Sequence, residues 1–498
     1  MKIRLLSFAI GLMVTRAVTA QVDSSAIPSR HSAIYSVELT GLAASGNRTP
    51  FWLQANQYGI VPRNSPAGFV TVGTNGRFGN LHKGLNRGLS YGLEAVGHLG
   101  NQSGVILPQA FASIDRDYFS LWVGRKKEII GLGDSTLSSG FYSWSGNALP
   151  ITKLQLGTNQ FMPLGFTSNI ISVHAFYAHG WFANSDSIQQ SYLHQKAFYV
   201  RIGRPNWRVR LTGGVLHSAQ WGGHSRYMTS GVARNGQLPD SFRDYLYVIT
   251  AKQPDELESA THTAFDGINR FGNHLGSIDF GLETRLGQWQ TMGYYQHPFE
   301  DKSGTAFVNF PDGLYGLRLQ HQGASSGGFQ IRHLLLEFLN TMSQSGSLVH
   351  TGRYDGQDDY FNNFQYINGW TQHERVIGTP FLSRRADLRP ERQNEPNKRI
   401  WAIANNRVQM AHIGLAGTVG RSGIRWQSRL SVSRNFGTHR FRFVEPVPQV
   451  SGAAWLTWPL TWLGGSELRT AVAVDQGQLY SNAVGGWISL RKVWKTTH

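Results

Sequence analysis

The sequence predicts an all-β chain closed into a transmembrane β-barrel of the outer-membrane type, and three observations carry that expectation. Segments of about ten residues alternate apolar and polar side chains, the pattern of strands with one face to lipid and the other to a lumen. Tight turns alternate with long, chemically busy connections, the asymmetry of a barrel with short turns at one end and large loops at the other. The chain opens like an exported protein, and no later stretch holds the roughly 20 apolar residues that a membrane helix needs.

Composition agrees. The 498 residues include 57 Gly, 27 Phe, 18 Tyr and 15 Trp, only 15% are charged, and there is no cysteine. Mean hydropathy is −0.29, as expected where lipid-facing and lumen-facing residues average out. The missing cysteines exclude a disulfide framework and thiolate metal sites. A net charge of +17 calls for an acidic partner. No nucleic-acid-binding signature and no concentrated Lys/Arg run is present, so for an exported chain anionic polysaccharide or lipid headgroups fit better than nucleic acid.

Lys2 and Arg4 precede an apolar run, Leu5 to Val14, and Val18-Thr19-Ala20 offers small residues for cleavage. Residues 1–20 therefore read as a signal peptide, 21–32 as a polar segment and 33–498 as one barrel domain. The first strand places Tyr35, Val37 and Leu39 on one face and Ser36, Glu38 and Thr40 on the other. A hairpin follows at Phe198, Val200 and Ile202, turning at Gly203-Arg204-Pro205-Asn206 into Trp207, Val209 and Leu211, with Arg201, Arg208 and Arg210 opposite. Ile278 to Leu286 turns through Gly287-Gln288 into Trp289 and Thr291. Leu317 and Leu319 face Phe329, Ile331 and Leu335. Ala411 to Val419 returns through Ile424, Trp426, Leu430 and Val432, whose other face carries Arg425, Gln427 and Arg429. Leu468 to Val474 and Trp487 to Trp494 close the chain.

Large loops are expected at 124–150, 217–277, 296–313 and 340–407. A soluble sandwich would not place its long connections at one end only. Within 217–277, Phe242, Tyr245, Leu246 and Ile249 recur at helical spacing behind Pro239-Asp240-Ser241. This short loop helix is expected to pack into the lumen or cover its mouth.

Six blocks between about Ser45 and Gly378 bear on the family. They are Thr49-Pro50-Phe51-Trp52-Leu53-Gln54-Ala55-Asn56-Gln57-Tyr58-Gly59, Gly131-Leu132-Gly133-Asp134 with Leu137-Ser138-Ser139-Gly140, His179-Gly180-Trp181-Phe182, His217-Ser218-Ala219-Gln220-Trp221-Gly222-Gly223, Gln296-His297-Pro298-Phe299-Glu300-Asp301-Lys302-Ser303-Gly304 and Pro311-Asp312-Gly313-Leu314-Tyr315-Gly316. In this order they resemble the capsule-assembly Wzi family. The resemblance implies an outer-membrane barrel of about 18 antiparallel strands. It also implies a non-catalytic surface lectin that helps attach exported capsular or exopolysaccharide to the cell. The chain departs from the barrel habit by ending Lys495-Thr496-Thr497-His498 instead of on an aromatic, a role open to Trp494.

Candidate glycan contacts centre on the loop from Gly124 to Pro150. Phe141, Tyr142 and Trp144 lie beside Asp134, Ser138, Ser139 and Asn147, and Trp221 opens the next large loop. An aromatic face stacks on a sugar ring while carboxylate, amide and hydroxyl groups bond its hydroxyls. The alternative is that these rings form the loop's own core. Arg201, Arg208 and Arg425 offer guanidinium forks for acidic groups, or else pair with Asp and Glu inside a lumen. His174, His179, His217 and His224 lack metal-ligand spacing. Neither Glu300-Asp301 nor Asp358-Asp359 forms a catalytic dyad by itself, and Asp312 could join either only through the fold. Gly131-x-Gly133 lacks the rest of a nucleotide-binding loop.

The expectation is thus a monomeric, non-enzymatic protein of a Gram-negative outer membrane, with no catalytic residues, metal or cofactor. Its partners would be acidic capsular or exopolysaccharide and outer-membrane lipid, not nucleic acid. A porin or sugar channel is the alternative.

Overall fold

The computed structural model describes residues 31–82, 85–100, 103–185, 187–323, 327–347, 356–393, 402–420 and 422–497. The expected signal peptide, and the polar segment as far as residue 30, lie outside them.

Eighteen long strands form the wall. They are β1 (His31–Ala44), β2 (Ala67–His82), β3 (Leu85–Gly100), β4 (Gly104–Arg116), β5 (Phe119–Arg125), β6 (Thr152–Thr158), β7 (Ile171–Trp181), β8 (Tyr192–Ile202) and β9 (Val209–Trp221). There follow β10 (Asn273–Leu286), β11 (Trp289–Phe299), β12 (Gly313–His321), β13 (Phe329–Asn340), β14 (Val408–Val419), β15 (Ile424–Gly437), β16 (Arg442–Leu460), β17 (Ser466–Gly477) and β18 (Ala483–Thr497). Each pairs antiparallel with its neighbours in sequence, and β1 pairs with β18 from Ser32↔Thr497 to Ala44↔Gly485, which closes the barrel. Met162–Pro163 pairs with Ser172 and Val173, extending the row of β6 without adding a stave. Among the described residues no helix is long and apolar enough to cross a membrane.

The wall follows from the period of two. In β15, Leu430 and Val432 are 45% and 48% exposed on the outside, while Arg429, Ser431 and Ser433 point inward and are buried. Both described termini and the tight turns, such as Gly287-Gln288, lie at one end. The large connections lie at the other. The strands run farther than their alternation suggested: β9 continues to Trp221 and β10 resumes at Asn273, so the loops span 126–151, 222–272, 300–312 and 341–407.

Most of the largest fully buried side chains, among them Trp52, Trp370, Tyr142, Tyr360 and Phe361, come from connections; Lys153, Leu193 and Leu216 come from strands. Much of the hydrophobic core is therefore inside the barrel, made by loops folded into it.

Candidate functional site

The connection 126–151 enters the barrel and binds its inner wall strand by strand. The Asp279 carboxylate of β10 accepts from the Leu132 amide (3.0 Å). Gln296 of β11 accepts from the Tyr142 amide (2.8 Å) and donates to the Leu132 carbonyl (2.9 Å). Glu337 of β13 accepts from the Ser138 hydroxyl (2.8 Å), the Ser139 amide (2.6 Å) and the Tyr294 hydroxyl (2.5 Å). Room for Tyr294 requires glycine at Gly316, where a Cβ would meet the ring at 2.0 Å. His412 bonds the Leu137 carbonyl (2.8 Å), and Arg429 donates to that of Thr136 (2.6 Å). Asp134 gathers the amides of Thr136 and Leu137 and pairs with His333 at 2.6 Å.

A second tier, 341–407, lies on the first. Trp370 donates its indole N–H to the Ser143 carbonyl (3.0 Å) and meets Trp144 edge-on at 6.2 Å. The Ser145 hydroxyl donates to the Gly378 carbonyl (2.6 Å), and the Asn147 amide group to that of Val376 (2.8 Å). From 45–66, the Asn56 amide donates to Asn147 (3.1 Å). Under Trp144, Lys153 lies 5.1 Å from the ring, pairs with Glu128 at 2.9 Å and donates to Gln195 at 2.8 Å.

The structure brings five sequence candidates together. Asp134, Ser138, Ser139, Trp144 and Asn147 are each 7% exposed or less, and they hold the loop to the wall and to the upper tier. The arginines lie elsewhere. Arg201 pairs with Glu283 (3.5 Å), which also binds Arg210, and stacks over Phe161 at 3.8 Å. Arg208 is exposed on the short turn between β8 and β9, and Arg425, beside the next turn but two, pairs with Glu467 at 2.6 Å. All three occupy the turn end, with the closure between them and the large loops. Trp221 is on the outer wall, stacked on Tyr245 of the helix Phe242–Thr250. That corrects the expected placement of the helix: it lies neither in the lumen nor over the mouth.

Above the closure the loop end opens into a groove of about 540 Å³ formed by 222–272, 300–312, 341–407 and the β15–β16 connection. Arg270, Lys302 and Arg440 bring positive charge, and Asn269, Asn273, Asn362 and Asn363 bring amides. The Phe364 ring is 49% exposed with the Arg440 guanidinium 4.7 Å from its centroid. The sequence reading did not single these residues out. Their local signal is the amide-rich run Asn362-Asn363-Phe364-Gln365 around one aromatic.

Glu300, Asp301 and Asp359 also line the groove, and the carboxylates there and beneath it are bonded to protein, Asp301 accepting from the Ser303 hydroxyl (2.7 Å). Glu300 accepts from the Phe361 amide (2.8 Å), Asp358 from the Ser345 hydroxyl (2.7 Å), and Asp359 from Asn362 (2.9 Å) and Asn406 (2.6 Å). Asp312 accepts from Tyr360 (2.9 Å) and the Gln344 amide (2.8 Å). Burial, and then the nearby Asp301, pushes Asp358 up to about 7. Burial alone pushes Asp312 up to about 6 against its hydrogen bonds, and it carries Glu300 well above the carboxylate range. Among the described residues no group of three His, Asp or Glu is placed to hold a metal ion.

A closed 18-stranded antiparallel barrel with lipid-type alternation and large loops at one end defines the class, an outer-membrane β-barrel. Among solved structures the chain is similar to Wzi, described as an outer-membrane protein involved in group 1 capsule assembly in Escherichia coli and as a carbohydrate-binding β-barrel. The TM-score is 0.55 at 13% identity, over 94% of this chain and 85% of that one. The resemblance read from the six sequence blocks is met here as a likeness of fold. OccK5 (OpdH) of Pseudomonas aeruginosa aligns at TM-score 0.46 and 8% identity, covering 94% of this chain and 98% of that one. A BenF-like porin from Pseudomonas fluorescens Pf-5 aligns at 0.45 and 8%, covering 94% and 99%. No protein-family profile and no curated protein matches the sequence.

Proposed function

We propose that this barrel is a non-catalytic lectin of the outer membrane that binds exported capsular or exopolysaccharide in the groove at its loop end. One observation carries the reading: two tiers of loop close the lumen, and a groove with cations, protein-bonded carboxylates, amides and an exposed ring opens above them. Phe364 offers a face for a sugar ring, the asparagines bond hydroxyls, and Arg270, Lys302 and Arg440 take the carboxylates of an acidic glycan. The carboxylates that line the groove and lie below it, bonded to Ser345, Asn362, Asn406 and backbone, serve to fix loops. Asp134, Ser138, Ser139, Trp144 and Asn147 set the floor of the site without touching the glycan.

The test is binding of the purified barrel to acidic capsular polysaccharide and to the same polymer with its carboxyl groups reduced. Binding to the acidic form, weakened about tenfold by Phe364→Ala or Arg440→Ala (on the order of 1.4 kcal/mol), supports the reading. No binding overturns it, and release of shortened glycan would make the protein an enzyme. A steady open conductance in a planar bilayer would favour the sugar channel.

A further inference from the structure

The connection 222–272 leaves the mouth and folds down the outside of the barrel. Tyr199 of β8 faces the lumen, where its hydroxyl donates to Asp279 (3.0 Å), the residue that anchors Leu132. Alternation then turns His194 and Lys196 outward. The register puts His179 of β7 and Ala219 of β9 beside His194, and His217 beside Lys196, on that same outer face. The helix Phe242–Thr250 lies against it. Tyr245 stacks on Trp221 (4.8 Å, 14° between planes), and its hydroxyl is 2.9 Å from that of Tyr177. Lys196 donates to the Ile249 carbonyl.

The helix buries Asp244 and Val248 and leaves Phe242 and Leu246, one turn apart, 77% and 49% exposed, with Arg243 beside them. The level at which it lies gives this side its meaning. Below it the outer wall is an apolar belt that includes Phe198, Ile202, Leu211, Phe280 and Leu282, all about half exposed. On β8 and β9 the belt ends at His194 and His217, the row that the helix covers. The neighbouring connection 300–312 does the same: Phe307 stacks on outward-facing His297 (4.1 Å, 18°), and Phe310 is 61% exposed.

We infer that this outer flap is an in-plane membrane anchor, with Phe242 and Leu246 seated among the acyl chains of the outer leaflet and Arg243 at the headgroups. Its apolar side is continuous with the lipid-facing belt, and a short amphipathic helix at the edge of a hydrocarbon layer lies along the interface. The flap covers the histidine row that would otherwise meet the headgroup layer, and it fixes how deep the barrel sits. This inference is independent of the glycan reading.

The chain has no cysteine, so single nitroxide labels report single positions. Phe242→Cys and Leu246→Cys would be labelled in phosphatidylethanolamine–phosphatidylglycerol vesicles, with Phe198→Cys on the belt and Glu374→Cys on the upper tier as references. The expected result is high collision with oxygen and, relative to Glu374→Cys, several-fold lower collision with a water-soluble nickel complex. Nickel collision equal to that at Glu374→Cys overturns the anchor. So does spin–spin broadening at 246 that vanishes on dilution with lipid, which would make this face a contact with a second copy. As a second measurement, Phe242→Asp with Leu246→Asp should speed tryptic cleavage at Arg243 and Lys252 in vesicles but not in detergent. Unchanged cleavage in vesicles also overturns it.

Discussion

Trp144 and Lys153 show how a residue's role follows from what surrounds it. In sequence, an aromatic among serines and an aspartate reads as a sugar platform. In the fold the ring is 6% exposed, edge-on to Trp370 and over an ammonium group. Trp144→Ala should therefore cost about 3–5 kcal/mol of stability, read as a lowered unfolding midpoint, while glycan binding by the protein that remains folded is unchanged. Lys153 is 1% exposed and paired with Glu128, so Lys153→Met strands a carboxylate. The expected loss is roughly 3–5 kcal/mol, and adding Glu128→Gln should restore much of it in a double-mutant cycle. Arg208 and Arg425 are chemically apt for an acidic sugar, but their strands deliver them to the turn end. Their place beside tight turns already marked that end in the sequence.

At the scale of elements, the lower tier is an insert held by hydrogen bonds to five strands. Replacing Gly133–Gly140 with a short glycine linker removes the bonds to Glu337, His412 and Arg429 together. It should raise the conductance of the barrel, which single-channel recording would show. The package of 300–312 with 356–361 carries the pH dependence. Asp312 and Asp358 titrate near 6 and 7 in the fold, against about 4 in an unfolded chain. The folded state thus holds protons that the unfolded state has lost, so this stabilisation is complete below about pH 4 and disappears as pH rises through 6 to 7. Proteolysis of this segment should be faster at pH 8 than at pH 5, and Asp358→Asn should flatten the difference. The helix was legible from its 3.6 period, and its Ser241–Asp244 capping box forms as the residue types invite. The side of the barrel it joins was not.

Across the whole molecule the barrel separates three environments: the turn end, a lumen closed by loops and the groove above them. Among the described residues, part of the positive charge is neutralised by pairs such as Arg425–Glu467 and Arg469–Glu38. Glycan binding should therefore weaken with salt only as far as Arg270, Lys302 and Arg440 contribute. Arg208→Ala and Arg425→Ala, at the far end, should leave affinity and its salt dependence unchanged in a titration.

The staves, the tight turns, the barrel class and the existence of the helix could be read from the chain because each records a local environment. A residue faces lipid or lumen, and its neighbours alternate accordingly. The paths of the long connections are set by contacts between residues far apart in sequence. Ser138 meets Glu337 across 199 positions, and Arg440 lies over Phe364 only because two loops end at one mouth. No local period encodes such a meeting, so the inward plug, the outward flap and the groove between them were decided by the tertiary structure.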